Sequence, residues 1–214
     1  MSGPGSVTTT VEDGVAVVRL DDGKMNAVSH DVVTGLHAAL DEALSSATSV
    51  CIVGNDRALS AGFDLKVMQG GDVDAVMKLV NAGGELLLRL FRHPQPTVVA
   101  VTGHALAAGA LLVLACDTRI GIEGGSSKIG LNETQIGMAL PDFALELAVA
   151  RLSKRYLTRA AVQAEIFDPA GALAAGYLDR LSADVVADAV AEARSLGALP
   201  AAAYAGTKAS LRGS

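Results

Sequence analysis

The chain reads as an α/β fold, because runs of β-branched residues alternate with longer stretches whose apolar residues recur at helical spacing, and turn residues separate the two. Half of the 214 residues are apolar and 19% are charged, a balance that supports a sizeable packed core and excludes intrinsic disorder. Beyond about residue 152 the pattern becomes mostly helical, and no fixed-period repeat is evident. The expected organisation is a single domain over 1–214, with an α/β core to about 152 and a helical C-terminal region over 153–214.

Residues 7–11 and 15–20 are apolar or alternating runs on either side of Asp13-Gly14, the chemistry of a tight hairpin turn. After the loop Asp21-Asp22-Gly23-Lys24, Ser29 is placed to cap a helix in which Val32, Val33, Leu36, Leu40 and Leu44 recur at helical spacing. Residues 49–54 predict a short buried strand, and the loop 55–65 leads into a long amphipathic helix carrying Val76, Leu79, Val80, Leu86, Leu87, Leu90 and Phe91. The stretch His93-Pro94-Gln95-Pro96 ends that helix, since a residue before proline avoids the helical region. Then follow a strand at 97–101, a helix at 107–116, a strand at 119–123 and a turn cluster at Gly124-Gly125-Ser126-Ser127. Further helices are expected over 155–165, 169–174 and 183–196.

Aromatic residues make up 3% of the chain, tryptophan is absent and the net charge is −6. Stacked-aromatic readers and phosphate-tracking surfaces need the opposite composition, so no nucleic-acid partner is expected. Cys51 and Cys116 lie in apolar runs, where a free cysteine behaves as a small buried hydrophobe, and a reducing cytoplasm is the expected compartment. Residues 97–116 are about long enough to cross a bilayer. Gly103 and His104 interrupt that stretch, and its first part is β-branched while its second is rich in Ala and Leu, so a buried strand followed by a buried helix is the better reading. The opening MSGPGSVTTT has neither a basic nor an apolar region of the kind a secretory signal requires, and no membrane partner is expected.

The chain contains no G-x-S-x-G elbow, P-loop, G-x-G-x-x-G, H-E-x-x-H or C-x-x-C. His30, His37, His93 and His104 lack ligand spacing, so no metal is expected. What remains is two strand-to-helix turns of small residues, 59–65 (LSAGFDL) and 103–109 (GHALAAG), and one carboxylate. Small residues let a ligand approach the backbone, and N–H groups at a helix start face an anionic oxygen, so two such turns would make a two-donor oxyanion hole. Small residues before a helix also serve close packing, and spacing alone leaves both roles open.

Four stretches together, DGKMNA at 22–27, LSAGFDL at 59–65, TGHALAAGALLVLACDTRI at 102–120 and IGLNETQIGMALP at 129–141, resemble in order and spacing the enoyl-CoA hydratase/isomerase, or crotonase, superfamily. The likeness runs from Val7 to about Arg212. It implies the crotonase (ClpP-like) spiral of ββα units with a helical C-terminal region, an acyl-CoA thioester as substrate with no separate cofactor, and a homotrimer or dimer of trimers. Carried over by position, it implies that the backbone N–H groups of Phe63 and Ala108 hold the thioester oxygen as enolate charge develops. Lys24, Met25, Ala27, Ala61, Gly62, Asp64, Leu65 and Leu111 would border the acyl-CoA.

Hydratases of the family carry two glutamates that hold and activate water. Here the first position is Leu111 and the second is Glu133. A leucine cannot polarise water, whereas one glutamate suits moving a double bond from C3 to C2, since a single base takes a proton from C2 and returns it at C4. The LNETQ stretch resembles mitochondrial-type Δ3,Δ2-enoyl-CoA isomerases, and DDGK-N with GFDLKV resembles actinobacterial members of the family. The implied reaction is isomerisation of 3-enoyl-CoA to 2-enoyl-CoA. The alternatives are hydration of 2-enoyl-CoA, as in fatty-acid β-oxidation, and acyl-CoA binding without catalysis, to which the paired methyls of Ala107-Ala108 point.

Plainer roles stand beside these. Glu133 would also suit a helix first turn with Asn132 as its cap, and Asp64 a cap or loop anchor. Asp117 and Arg119 are expected to pair, His104 to make a local hydrogen bond, and Lys208 to be an exposed solvating lysine rather than a phosphate contact. Relatives continue into further helices where this chain stops at Ser214, from which either a more open acyl site or compensation by assembly is expected.

Overall fold

Asp13 and Gly14 adopt positive φ, 48° and 80°, and close a hairpin of β1 (Val7–Glu12) and β2 (Val15–Leu20) as their sequence predicts. The computed structural model describes residues 5–213. From the hairpin onward the chain repeats one unit: a strand in a large sheet, a short strand in a small sheet, then helix. The large sheet has the order β1-β2-β3-β5-β7-β9, with β3 (Ser49–Val53), β5 (Thr97–Val101), β7 (Thr118–Ile122) and β9 (Arg180–Ser182). All its pairs after the hairpin are parallel. The small sheet is β4 (Ala58–Ser60), β6 (His104–Leu106) and β8 (Ile129–Gly130), also parallel. This winding is the ββα spiral that the resemblance implies.

Helices cover both faces of the large sheet, which is why its strands are continuous apolar runs. On one face Val18, Val50, Ile52 and Val99 pack with α1 (His30–Ser46), α3 (Val73–Phe91) and α4 (Ala108–Ala115), through residues such as Leu36, Leu40, Leu86, Leu90 and Leu112. On the other, Val15, Cys51, Val53, Val98 and Ile120 pack with Val185, Ala189 and Ala193 of α7 (Val185–Gly197). Ser29 caps α1, its hydroxyl accepting from the Val32 N–H. Every residue of α4 is buried, and no helix among the described residues is long and apolar enough to cross a membrane. The greasy stretch 97–116 is thus β5, β6 and α4.

The short and alanine-rich elements depart from expectation. Strands β4, β6, β8 and β9, of two or three residues each, are too brief to show a period. The helix expected over 155–165 is a single wide turn, Thr158–Val162, because Ala164 adopts φ +52° and Glu165 turns back to bond Arg159. Two further helices, α5 (Asp142–Arg151) and α8 (Ala201–Arg212), flank α6 (Pro169–Ala175) and α7 in the chain. The first follows Pro141 and has little amphipathic pattern, with Leu145 and Val149 exposed. The second is the alanine-rich tail, where helix propensity supplies what pattern does not.

Arg119 does not pair with Asp117. It lies within β7 and forks onto Asp179, just ahead of the neighbouring β9, at 2.6 and 3.0 Å. Asp117, at the edge of β7, instead receives α8: Lys208 Nζ stands 2.7 Å from its Oδ2, Arg212 Nη1 2.6 Å from its Oδ1, and the Tyr204 hydroxyl donates at 2.7 Å. Lys208 is therefore buried, 7% exposed, and not the solvating lysine expected. Burial alone would raise the Asp117 carboxyl, but Lys208 and Arg212 with the bonds from Lys208 and Tyr204 hold it below the usual carboxylate range.

Asp117→Asn leaves two buried cations without their counter-charge and is expected to lower unfolding free energy by about 3–5 kcal/mol in a urea titration. A carboxylate lowered in the folded state stabilises above its unfolded value and loses that contribution as pH falls, so the variant's stability should also depend less on pH in the acid range than the wild type's.

Candidate active site

The carboxyl ends of the three parallel strands of the small sheet deliver 61–64, 107–108 and 131–133 to one place. β6 pairs with β4 on one side and β8 on the other, so the loops that follow must lie together. A Cβ on Gly62 would stand 3.0 Å from the Ala107 methyl and 3.7 Å from the Ala108 nitrogen. The two small-residue turns are thus in direct contact.

Each turn leaves one N–H without an acceptor among the described residues. Gly62 takes φ +106° and donates its N–H to the Ser60 hydroxyl at 3.2 Å. Val28 then bridges the loop, donating to the Gly62 carbonyl at 2.8 Å and accepting from the Asp64 N–H at 3.1 Å. That pattern skips the Phe63 N–H. In the second turn Ala107 donates to the Gly130 carbonyl at 3.0 Å and α4 begins at Ala108, so the Ala108 N–H is one of the helix-start donors with no partner in its own helix. Among the described residues neither the Phe63 nor the Ala108 N–H donates a hydrogen bond.

The second turn is strained. Ala107 adopts φ +50°, ψ −123°, a region natural to glycine and costing about 1–3 kcal/mol for other residues. It is held there by the Gly130 bond on one side and the Leu111 N–H, donating to its carbonyl at 3.0 Å, on the other. Gly109 lets α4 approach β4: a Cβ there would overlap the Ser60 carbonyl. Gly83 does the same for the first turn, since a Cβ on it would lie 2.5 Å from the Phe63 ring.

Glu133 follows β8 by three residues and is 9% exposed. It occupies the cap position of a 3-10 turn, Thr134–Ile136, and its carbonyl accepts from both Ile136 and Met138 N–H at 3.0 Å. Asn132 does not cap that turn with its side chain, because the turn begins one residue later than expected. The Glu133 Oε2 atom is buried without a hydrogen-bond partner. Burial raises its carboxyl above the ordinary glutamate value, opposed only by a hydrogen bond from its own backbone. A carboxyl held this way is suited to gaining and losing a proton more readily than an exposed glutamate.

The remaining candidates divide by position. Met25 accepts from the Ala61 N–H at 2.9 Å, which ties the Lys24–Ala27 loop to the first turn. Lys24 is exposed and Ala27 half-buried, their N–H groups bound to Asp22 at 2.7 and 3.2 Å. Asp64 is the cap of α2 (Leu65–Met68), accepting from the Lys66 N–H at 2.9 Å, and Leu65 is 62% exposed. Leu111 is 1% exposed and packs in the core one turn beyond Ala108. His104 makes the expected local bond, accepting from the Lys128 N–H at 3.0 Å. Among the described residues no three His, Cys, Asp or Glu side chains gather as a metal site requires.

Asn26 and Ser60 were not foreseen as organising residues. Asn26, at φ +53° and 3% exposed, donates to the Leu20 and Ala58 carbonyls at 2.9 Å and so locks the loop to β2 and β4. Its signal was an asparagine after Asp-Gly, a residue that tolerates the left-handed region.

Fold and site together define a class of protein: a ββα spiral with an unused N–H donor on each of two touching turns and a buried carboxyl. The family model described as enoyl-CoA hydratase/isomerase matches residues 10–213, and the chain belongs to that family. An enoyl-CoA hydratase/isomerase family protein of known structure from Pseudomonas syringae is 42% identical, with a TM-score of 0.93 over 97% of this chain and 90% of that one. Mitochondrial enoyl-CoA delta isomerase 1 of Rattus norvegicus is 31% identical over 79% of this chain and 60% of its own length. A probable enoyl-CoA hydratase of Bacillus subtilis is 33% identical over 65% of this chain and 54% of its own. The chain thus spans 60% or less of the length of these two curated relatives.

Replacing Ala107 with glycine relieves the strained φ, and the unfolding free energy is expected to rise by about 1 kcal/mol, net of glycine's entropy, in thermal or urea melts. Gly109→Ala has the opposite sign, because its methyl meets backbone rather than a movable side chain.

Proposed function

We propose that the protein isomerises 3-enoyl-CoA thioesters to 2-enoyl-CoA. The Glu133 carboxylate takes the proton from C2, the electron pair moves onto the thioester oxygen as an enolate, and the Phe63 and Ala108 N–H groups hold that oxygen. The proton then returns from Glu133 to C4, the double bond settles between C2 and C3, and the carboxylate is regenerated. Each donor of this kind is worth about 3–4 kcal/mol to the enolate-forming step. CoA enters as the carrier of the substrate, so the reaction needs no cofactor.

The observation that carries this reading is the solitary Glu133 carboxyl, buried and unpartnered, with Leu111 in the position where hydratases of the family hold a second glutamate. Relatives bear both the isomerase and the hydratase name, and Leu111 is what favours the first. Both cysteines are buried and free, in keeping with the reducing cytoplasm expected from sequence. The family resemblance adds assembly as a homotrimer or dimer of trimers.

Glu133→Gln is expected to reduce turnover of 3-enoyl-CoA by about 10²–10⁴-fold with KM little changed, as loss of a general base does. Retained turnover would overturn its role, and faster conversion of 2-enoyl-CoA to 3-hydroxyacyl-CoA by the wild type would favour the hydratase. Because the base must be ionised and burial raises its carboxyl, the acid limb of the wild-type pH–rate profile should lie above the ordinary glutamate value of 4.5.

A further inference from the structure

Three cations converge on Asp117. Lys208 Nζ and Arg212 Nη1 stand 2.7 and 2.6 Å from its two carboxylate oxygens, and Arg151 Nη2 donates to its carbonyl at 3.0 Å. The Lys208, Arg212 and Asp117 side chains are 6, 7 and 9% exposed. Arg151 bonds only carbonyls, those of Leu114, Cys116 and Asp117. The other carboxylate that acts on it, Asp179, is already forked by Arg119. Among the described residues, four cations thus share two carboxylates, in a chain whose net charge is −6. Burial, with the charges of Arg119 and Arg212, brings the Arg151 guanidinium down to about 10. Buried charges are ordinarily paired, and here the pairing is short of anions.

Two of these cations also keep donors in reserve. The Lys208 ammonium has three N–H groups and donates to the Gln95 carbonyl at 3.2 Å and to Asp117. Arg212 uses Nη1 alone, on the Phe91 carbonyl at 2.6 Å and on Asp117, so its Nε and Nη2 have no acceptor among the described residues. Both residues line a groove of about 420 Å³ beside α8, whose apolar walls are Leu199, Pro200, Ala203 and Leu211. That volume lies in the range of small-molecule sites. Leu199 and Leu211 are 48 and 80% exposed, so open apolar surface adjoins the cations. The groove shares no residue with the candidate active site: Asp117 precedes β7, whereas the catalytic turns follow the strands of the small sheet.

We propose that this groove is a second small-molecule site, which takes the anion of a medium-length alkyl carboxylate. The carboxylate faces Lys208 and Arg212, and the chain lies along Leu199, Ala203 and Leu211. The head supplies a missing negative charge and accepts from the spare donors. The tail covers the exposed leucines. An inorganic anion would meet only the first requirement and a neutral alkyl compound only the second. The inference does not depend on the isomerase reading.

The probe is sodium octanoate, followed by carbon-13 methyl NMR of the full chain and by thermal melting. Saturable shifts are expected at Leu199 and Leu211, while Leu65 of α2 and Ile136 of the turn after Glu133 stay unmoved, and Tm should rise with octanoate concentration. 1-Octanol, which lacks the charge, should bind about tenfold or more weakly. From butanoate to octanoate, affinity should climb by up to about fourfold for each methylene buried. Leu211→Asp, at an exposed position, puts a negative charge on the apolar wall and should weaken octanoate by about tenfold or more without unfolding the chain. Shifts confined to Leu65 and Ile136, 1-octanol or chloride binding as tightly as octanoate, or full affinity in Leu211→Asp each overturns the proposal. So does an oligomer in sedimentation that Leu211→Asp dissociates while octanoate shifts neither leucine, since the groove would then belong to a second copy of the chain.

Discussion

The contact between Gly62 and the Ala107–Ala108 turn is the constraint on which the rest of the site depends. It brings two backbone segments closer than side chains would ordinarily permit, and the neighbouring sequence answers that demand. Gly109 removes the Cβ that would strike Ser60, Gly83 leaves room for the Phe63 ring, and Ala107 is driven to φ +50° so that α4 can start where it does. A strained non-glycine residue survives only where its surroundings over-determine it. Here the over-determination is visible in the pairing of β6 between β4 and β8 and in the bonds that fix Ala107 from both sides.

That same sheet explains why a carboxyl ends up where water is scarce. Glu133 follows β8 too closely to escape the packed layer, and its carbonyl is consumed by the turn it caps. Burial of an acid without a cation raises its proton affinity, which hinders a permanent salt bridge but suits a group that must both accept and release a proton. The contrast with Asp117 is instructive. That carboxyl is also buried, yet two cations and a phenol surround it, so its charge is fixed and serves to seat α8. Proton affinity distinguishes the two sites where burial does not.

Much of this was legible in the sequence wherever a residue type has one dominant conformational consequence. The Asp13-Gly14 turn, the Ser29 cap, the break after Phe91 and the change of character within 97–116 each followed from local chemistry. The small sheet was not legible, because strands of two or three residues have no period, and its existence is decided by what pairs with them. The partner of Arg119 lay 60 residues ahead and that of Asp117 91 residues ahead, separations that no local pattern encodes. For the site, the two donors and Glu133 came from motif resemblance, and the organising role of Asn26 from its bonds to the Leu20 and Ala58 carbonyls.

Leu111 links the packing to the chemistry. It sits on α4, a helix whose every residue is buried, so a carboxylate there would need a water or donor to offset its desolvation. A leucine removes that requirement and completes the apolar layer beneath the Ala108 turn. The consequence is an asymmetric site, with one proton-active group on the β8 side and hydrocarbon on the α4 side. The proposed isomerisation needs only one such group, whereas hydration would leave the attacking water a single anchor. The proposed preference for moving a double bond over adding water to one therefore rests on how the core of α4 is filled, as much as on the glutamate that remains.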